Sequence, residues 1–167
     1  VRLLETANAR GIAAPRQAIA AGLAEPRWPG RLDRRRLPDG RELLLDAAHN
    51  PAGAAALASY LKADGRGPRP LVFAAMRDKH VREMLEVLLP EASRLVATAA
   101  STPRSAEPET IAAIARELSP ALPIDVASGA AAALDRAWRA SPDIVVRRSP
   151  DIDLSMDDRF LYVSCWG

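Results

Sequence analysis

Glu42-Leu43-Leu44-Leu45-Asp46-Ala47-Ala48-His49-Asn50-Pro51 decides the fold. An apolar run of strand length ends in a carboxylate, and four residues later Asn50 and Pro51 supply the side-chain cap and fixed φ that open a helix. The segment therefore reads as strand, short turn and helix N-terminus, with the helix predicted over Pro51 to Lys62. Such a turn sets free backbone N–H groups beside the strand exit, where anions are held. Asp46 stands where it can accept two hydrogen bonds from the hydroxyls of a ribose, and His49 where it can donate to a phosphate or carboxylate. The plain alternative is an ordinary strand-to-helix connection.

Outward from this segment the same alternation continues. Upstream, Arg31 to Leu37 reads as a strand, and Pro38-Asp39-Gly40 has the chemistry of a turn, so a hairpin with Glu42 to Asp46 is expected. Downstream, strands at Leu71 to Ala75, Leu95 to Thr98, Ile124 to Ala127 and Ile144 to Val146 alternate with helices. Those helices fall at Lys79 to Leu89, Pro108 to Leu118 and Gly129 to Arg139. Val81, Met84, Leu85 and Leu88 form one apolar stripe at helical spacing, and Ile111, Ile114, Ala115 and Leu118 form another. Parallel neighbours need crossover connections. The expected fold is therefore α/β and Rossmann-like: three layers around a mostly parallel mixed sheet of about six strands, with an antiparallel edge hairpin. Two short helices, Leu3 to Ala9 and Pro15 to Leu23, precede it. After Ser149 the run Asp151, Asp153, Asp157, Asp158 breaks the pattern, and Phe160 to Val163 is at most a short extra strand.

Composition narrows the classes. At 167 residues and 49% apolar, one sizeable core is available but not two full domains. Twenty-three basic against 21 acidic residues are interleaved, so nucleic acid is not demanded, and the Arg31 to Arg36 cluster reads first as solvated surface. Cys165 is the lone cysteine, which excludes an intramolecular disulfide and suits a reducing compartment. No stretch approaches the roughly 20 apolar residues of a membrane span, and the start lacks a secretory signal, so the expected location is cytoplasmic. The chain opens on Val1, and an upstream continuation is expected.

In open parallel sheets ligands sit outside the carboxyl ends of the strands. That rule gathers Asp46, His49 and Asn50, then Arg77, Asp78 and Lys79, then Thr98 to Arg104, then Ser128, and finally Arg147 to Ser149. Arg31, after Trp28-Pro29-Gly30, adds a planar cation suited to polyphosphate at the entrance to the sheet. Each has a bland reading as surface or helix lead-in. No G-x-x-x-x-G-K-[ST], G-x-S-x-G, H-E-x-x-H or paired C-x-x-C occurs. This edge binds and orients; it holds no self-sufficient catalyst.

Trp28-Pro29-Gly30-Arg31-Leu32, the Leu43 to Pro51 segment, Met76-Arg77-Asp78-Lys79 and Thr102-Pro103-Arg104 together resemble the folylpolyglutamate synthase/dihydrofolate synthase family, in order and in spacing. The resemblance spans roughly Val1 to Ser149. It implies the C-terminal domain of the Mur ligase type, residues 28–149, preceded by the helical tail of an ATPase domain over 1–27 and followed by an atypical extension over 150–167. It also implies an ATP-dependent amide ligase, with an acyl phosphate formed from a dihydropteroate or folate carboxylate and attacked by L-glutamate. Magnesium would be held mainly by an N-terminal P-loop domain. By matching position Arg31 and Asp46 face ATP, as phosphate and ribose contacts, while His49, Lys79, Arg104 and Ser149 face glutamate or substrate. His80, Ala74-Ala75 and Arg147-Arg148 depart from the family pattern. Two rivals remain open: a peptidoglycan-type Mur ligase, and a receiver-like signalling module with Asp46 and Lys79 at strand exits.

Overall fold

The fold is seen in a computed structural model that describes residues 2–13, 15–24, 29–36, 42–139 and, as backbone strand, 161–164. The turn at residues 38–40, the strand expected at Ile144 to Val146, the Arg147-Arg148 pair, Ser149 and Cys165 lie outside the described residues. Two helices come first, α1 (Arg2–Ala9) and α2 (Arg16–Ala24). The strands are β1 (Asp33–Arg36), β2 (Glu42–Asp46), β3 (Arg69–Ala74), β4 (Ala92–Ala97), β5 (Ile124–Val126) and β6 (Leu161–Ser164). Between them run α3 (Pro51–Asp64), α4 (Val81–Leu88), α5 (Pro108–Leu118) and α6 (Ala130–Arg139).

The sheet runs β1-β2-β6-β3-β4-β5. β1 is the antiparallel edge, with Asp33 opposite Leu45 and Arg36 opposite Glu42. β3, β4 and β5 form a parallel set, and β6 lies parallel between β2 and β3, joining the two parts. The short extra strand read near Phe160 to Val163 is found as β6, and it lies in the interior of the sheet. The reason is topological: β2 and β3 do not pair with each other, and the space between them takes one strand. Local pattern does not report where a strand inserts.

Alternation along the strands builds a core on each face. Leu44, Leu71, Phe73, Leu95 and Ala97 point to one side, where Leu57 and Leu61 of α3, Met84, Leu85 and Leu88 of α4, and Ile111 and Ala115 of α5 cover them. Leu43, Val72 and Val96 point to the other side, against Ala133 and Ala137 of α6. Ala133 and Ala137 are the residues of α6 buried against the sheet. The apolar stripe read over Val81 to Leu88 is buried as expected. Its helix begins two residues late, because Lys79 N–H donates to the Met76 carbonyl at 3.1 Å and holds residues 76–79 in a turn. α1 and α2 bury no residue, and Leu3, Ile12 and Leu23 remain exposed.

At the edge formed by the N-terminal ends of β2 and β3, Arg34 and Arg36, read from sequence as part of a solvated cluster, are paired, and Arg66 and Arg69 join them. Arg34 donates to the Tyr60 hydroxyl at 2.7 Å and contacts Asp64 and Glu42. Arg69 reaches Asp64 at 3.1 Å, Arg36 reaches Glu42 at 2.9 Å, and Arg66 bridges Glu42 and Asp64. Hydrogen bonds from Arg36 and then Arg66 hold the Glu42 carboxyl down at about 2, and its side chain is only 18% exposed. The correction concerns pairing: periodicity locates a charged strand but not the carboxylates of α3 and β2 that fold onto it.

Phe73→Ala is expected to destabilise the domain by about 3–5 kcal/mol in chemical denaturation, as for a fully buried aromatic side chain. The depressed Glu42 carboxyl contributes stability that is present above its unfolded value near 4.5 and is lost as pH falls towards about 2. Glu42→Gln should therefore flatten the acid limb of stability against pH within that window and lower stability at neutral pH.

Candidate functional site

Because β2, β6, β3, β4 and β5 are parallel, their carboxyl ends lie along one edge. The registers put Asp46 level with Phe73 through their common partner Val163, and Phe73 level with Ala97, which is level with Val126. The turns that follow β2, β3 and β4 rise from that single row. β2 and β3 are two strand spacings apart, roughly 10 Å. The carboxyl-end rule thus places the Asp46 turn and the Arg77 to Lys79 turn along the same edge.

Asp46 is half-buried at the end of β2 and uses both carboxylate oxygens locally. Oδ1 accepts from the Ala48 backbone N–H at 2.8 Å, and Oδ2 accepts from the Leu32 backbone N–H at 2.9 Å. A carboxylate has about four acceptor positions, so each oxygen keeps capacity for a further donor. The turn then delivers His49, whose Nδ1 lies 3.2 Å from the Ala47 carbonyl, and Asn50, whose Oδ1 accepts from Gly53 N–H at 2.8 Å as the helix cap. A Cβ on Gly53 would sit 3.3 Å from that Oδ1 and 3.4 Å from Ala48 Cα, so the close approach of helix and turn favours glycine. Asn50 and Pro51 act as the sequence implied.

Arg31 lies on the neighbouring turn, exposed, between Gly30 at φ 72° and Leu32 at φ 46°. Leu32 is the one non-glycine residue with positive φ among the described residues, and for this reason the strand expected from Arg31 begins at Asp33 instead. Gly30 N–H donates to Asp33 Oδ2 at 3.2 Å, so carboxylates hold the turn from two sides.

Farther along the edge the turns after β3 and β4 are tied together. Met76 and Ser105 form an isolated bridge, Arg77 N–H donates to the Arg104 carbonyl at 2.9 Å, and Ala106 N–H donates to the Ala75 carbonyl at 2.8 Å. The Arg77 guanidinium also donates to the Pro103 carbonyl. Buried Ser105 accepts from Ala100 N–H at 3.0 Å and shapes the loop from within. Lys79 and Arg104, read from two separate loops, consequently flank one carboxylate. Asp78 Oδ2 is 3.7 Å from Lys79 Nζ and 3.6 Å from Arg104 Nη2. A hydrogen bond from its own backbone N–H holds the Asp78 carboxyl below its usual range against desolvation, with the charges of Lys79 and Arg104 adding to the lowering. The two loops thus bring two cations to one exposed carboxylate at this edge.

Asp78, Arg77 and Ser105 received no separate role from the sequence. Asp78 was adjacent to a candidate lysine, which was the available signal; nothing local announces that Arg77 spans to the next loop. A separate cleft of about 580 Å3 lies between α6 and the β4–β5 edge, lined by Arg94, Asp125, Asp135 and Arg136 among others. Arg94 is paired with Asp125, and Arg136 donates to the Val126 carbonyl at 2.7 Å, so these groups serve the scaffold. Among the described residues no three His, Cys, Asp or Glu side chains gather as a metal site, and no helix is long and apolar enough to cross a membrane.

Residues 30–148 match the family described as Mur ligase, glutamate ligase domain. The chain is 37% identical over 131 residues to a probable bifunctional folylpolyglutamate synthase/dihydropteroate synthase of Haloferax volcanii, covering 76% of this chain and 15% of that protein. It is 40% identical over 102 residues to a dihydrofolate synthase/folylpolyglutamate synthase of Mycobacterium tuberculosis, covering 60% of this chain and 20% of the relative. A solved Mycobacterium tuberculosis folylpolyglutamate synthase, complexed with ADP, superimposes with a TM-score of 0.66 at 31% identity, covering 88% of this chain and 31% of that one. The chain therefore spans about a fifth or less of the length of these curated relatives. The crossover order, the Asp46 to Pro51 turn and the family match converge: the chain belongs to the Mur ligase family, as a glutamate ligase domain.

Proposed function

We propose that this chain is the C-terminal, nucleotide- and glutamate-facing domain of an ATP-dependent folate ligase of the folylpolyglutamate synthase/dihydrofolate synthase type. The observation that carries the proposal is the division of the sheet edge into two stations. One is Asp46 with Arg31 on the turn it clamps; the other is Lys79 and Arg104 gathered about Asp78. A carboxylate with acceptor capacity to spare suits ribose hydroxyls, and an exposed arginine beside it suits phosphate. Two cations at the second station suit the carboxylates of a dicarboxylic amino acid, with His49 on the turn after β2 as a further polar contact. The relatives named for folate chemistry, and the ADP held by the solved Mycobacterium tuberculosis relative, supply the substrate class.

In this reading the γ-phosphoryl group of ATP passes to a carboxylate of the dihydropteroate or folate substrate. The amine of L-glutamate then attacks the acyl phosphate, forming the amide and releasing phosphate beside ADP. The domain contributes orientation and charge neutralisation, which are effective because reactants held in register avoid the entropy of encounter. The 167 residues contain no P-loop, so the cradle for the phosphates is assigned to a preceding ATPase domain, together with magnesium. The exposed apolar side chains Leu3, Ile12 and Leu23 on residues 1–27 are assigned to contact with that domain, with 28–149 as the ligase domain proper. Ser149 joins the glutamate station in this proposal on its position in the sequence alone.

In the complete ligase, Lys79→Ala is expected to raise the KM for glutamate about tenfold, the effect of losing one charge-assisted hydrogen bond, and to leave the KM for ATP within about twofold. Arg31→Ala should show the reverse pattern. ADP release measured with and without folate and glutamate checks the assignment. Absence of glutamate- and folate-dependent ADP formation, or strong ATP hydrolysis by the 167-residue chain alone, would overturn it.

A further inference from the structure

Leu32 takes up φ 46°, a left-handed conformation that costs a branched side chain about 1 kcal/mol or more, and the residue is 41% exposed and lies outside both core clusters. A hydrogen bond holds its backbone there. Continuing the β1–β2 register by one position sets Leu32 opposite Asp46. At that position the Leu32 N–H leaves the backbone ladder and donates instead to Asp46 Oδ2 at 2.9 Å, while Asp46 Oδ1 is fixed by Ala48 N–H at 2.8 Å. The other end of the turn is held by Gly30 N–H on Asp33 Oδ2. Arg31 is the residue enclosed between these two anchors.

We infer that Asp46 is a positioning residue for Arg31 as well as a ligand in its own right. Its carboxylate clamps the strained Leu32 backbone, and so presents the Arg31 guanidinium towards the phosphate end of the nucleotide whose ribose it binds. One carboxylate thereby sets the spacing of two contacts on a single ligand. This inference rests on the nucleotide-facing reading above and adds an energetic coupling between the two residues that separate binding roles do not require.

The test is a double-mutant cycle in the complete ligase with two nucleotides, ATP and 2′,3′-dideoxy-ATP, the second lacking the hydroxyls that Asp46 would bind. Asp46→Ala, Arg31→Ala and the double variant are compared by KM for each nucleotide at saturating glutamate and folate. With the dideoxy nucleotide, Asp46→Ala is expected to keep a rise in KM of roughly three- to tenfold, about one hydrogen bond to a charged group. In the Arg31→Ala background that rise should shrink to less than about twofold, since coupled residues are non-additive. A merely destabilised fold would show the same rise in both backgrounds and so overturns the inference. So does disappearance of the Asp46→Ala effect with the dideoxy nucleotide, which would leave Asp46 a ribose ligand alone. Leu32→Gly keeps the N–H that Asp46 accepts and removes the left-handed penalty, and so guards against misfolding of the Asp46 variant. Alone it should leave the KM for both nucleotides within about twofold, and combined with Asp46→Ala it should reduce the rise seen with the dideoxy nucleotide; an unreduced rise overturns the inference. If Arg31→Ala leaves the KM unchanged for both nucleotides, the nucleotide-facing reading itself fails, an outcome distinct from loss of coupling with a retained Arg31 effect.

Discussion

Parallel pairing of strands governs this molecule. A parallel neighbour can be reached only by a crossover that returns the chain to the same starting edge, so every strand from β2 to β5 begins at one edge and ends at the other. The helices that make those returns cover the sheet and bury Phe73, Leu95 and Met84. The turns that begin the returns collect at the opposite edge, where Asp46, Lys79 and Arg104 stand. Core and site are two consequences of one pairing rule.

Charge is distributed accordingly. At the edge where β2 and β3 begin, Arg34, Arg36, Arg66 and Arg69 meet Glu42 and Asp64 in a network whose carboxylates are mostly withdrawn from solvent. Such groups are engaged with one another and stitch α3 to the hairpin. At the carboxyl edge the arrangement is the reverse: Asp78 is exposed between two cations, and Arg31 is exposed on its turn. Isolated exposed ion pairs contribute little to stability. The carboxyl-edge pairs therefore add little to the stability of the fold, whereas the network at the other edge ties secondary-structure elements together.

The backbone cost is concentrated in the same place. Leu32 carries the described chain's non-glycine positive φ, and it sits within hydrogen-bond reach of the most prominent carboxylate of the edge. The loops after β3 and β4 are instead joined by backbone bonds through Arg77 and Ser105, without such strain. One station is held by a side chain acting on backbone, the other by backbone pairing between loops.

The sequence by itself determined the local elements and their polarity. Strand runs ending in polar residues, Asn50-Pro51 as a helix start, and the stripes of α4 and α5 each depend on neighbours within a few residues, so they were legible directly. They also determined which turns fall at the carboxyl edge. Tertiary structure alone decided the rest: the interior place of β6, the pairing of Arg34 with Tyr60 and Asp64, the gathering of Lys79 and Arg104 about Asp78, and the bond from Leu32 to Asp46. These join residues far apart in the chain or depend on backbone dihedrals that side-chain type does not fix. Periodicity records which face a residue presents, whereas the partner waiting on that face is set by how the whole sheet closes.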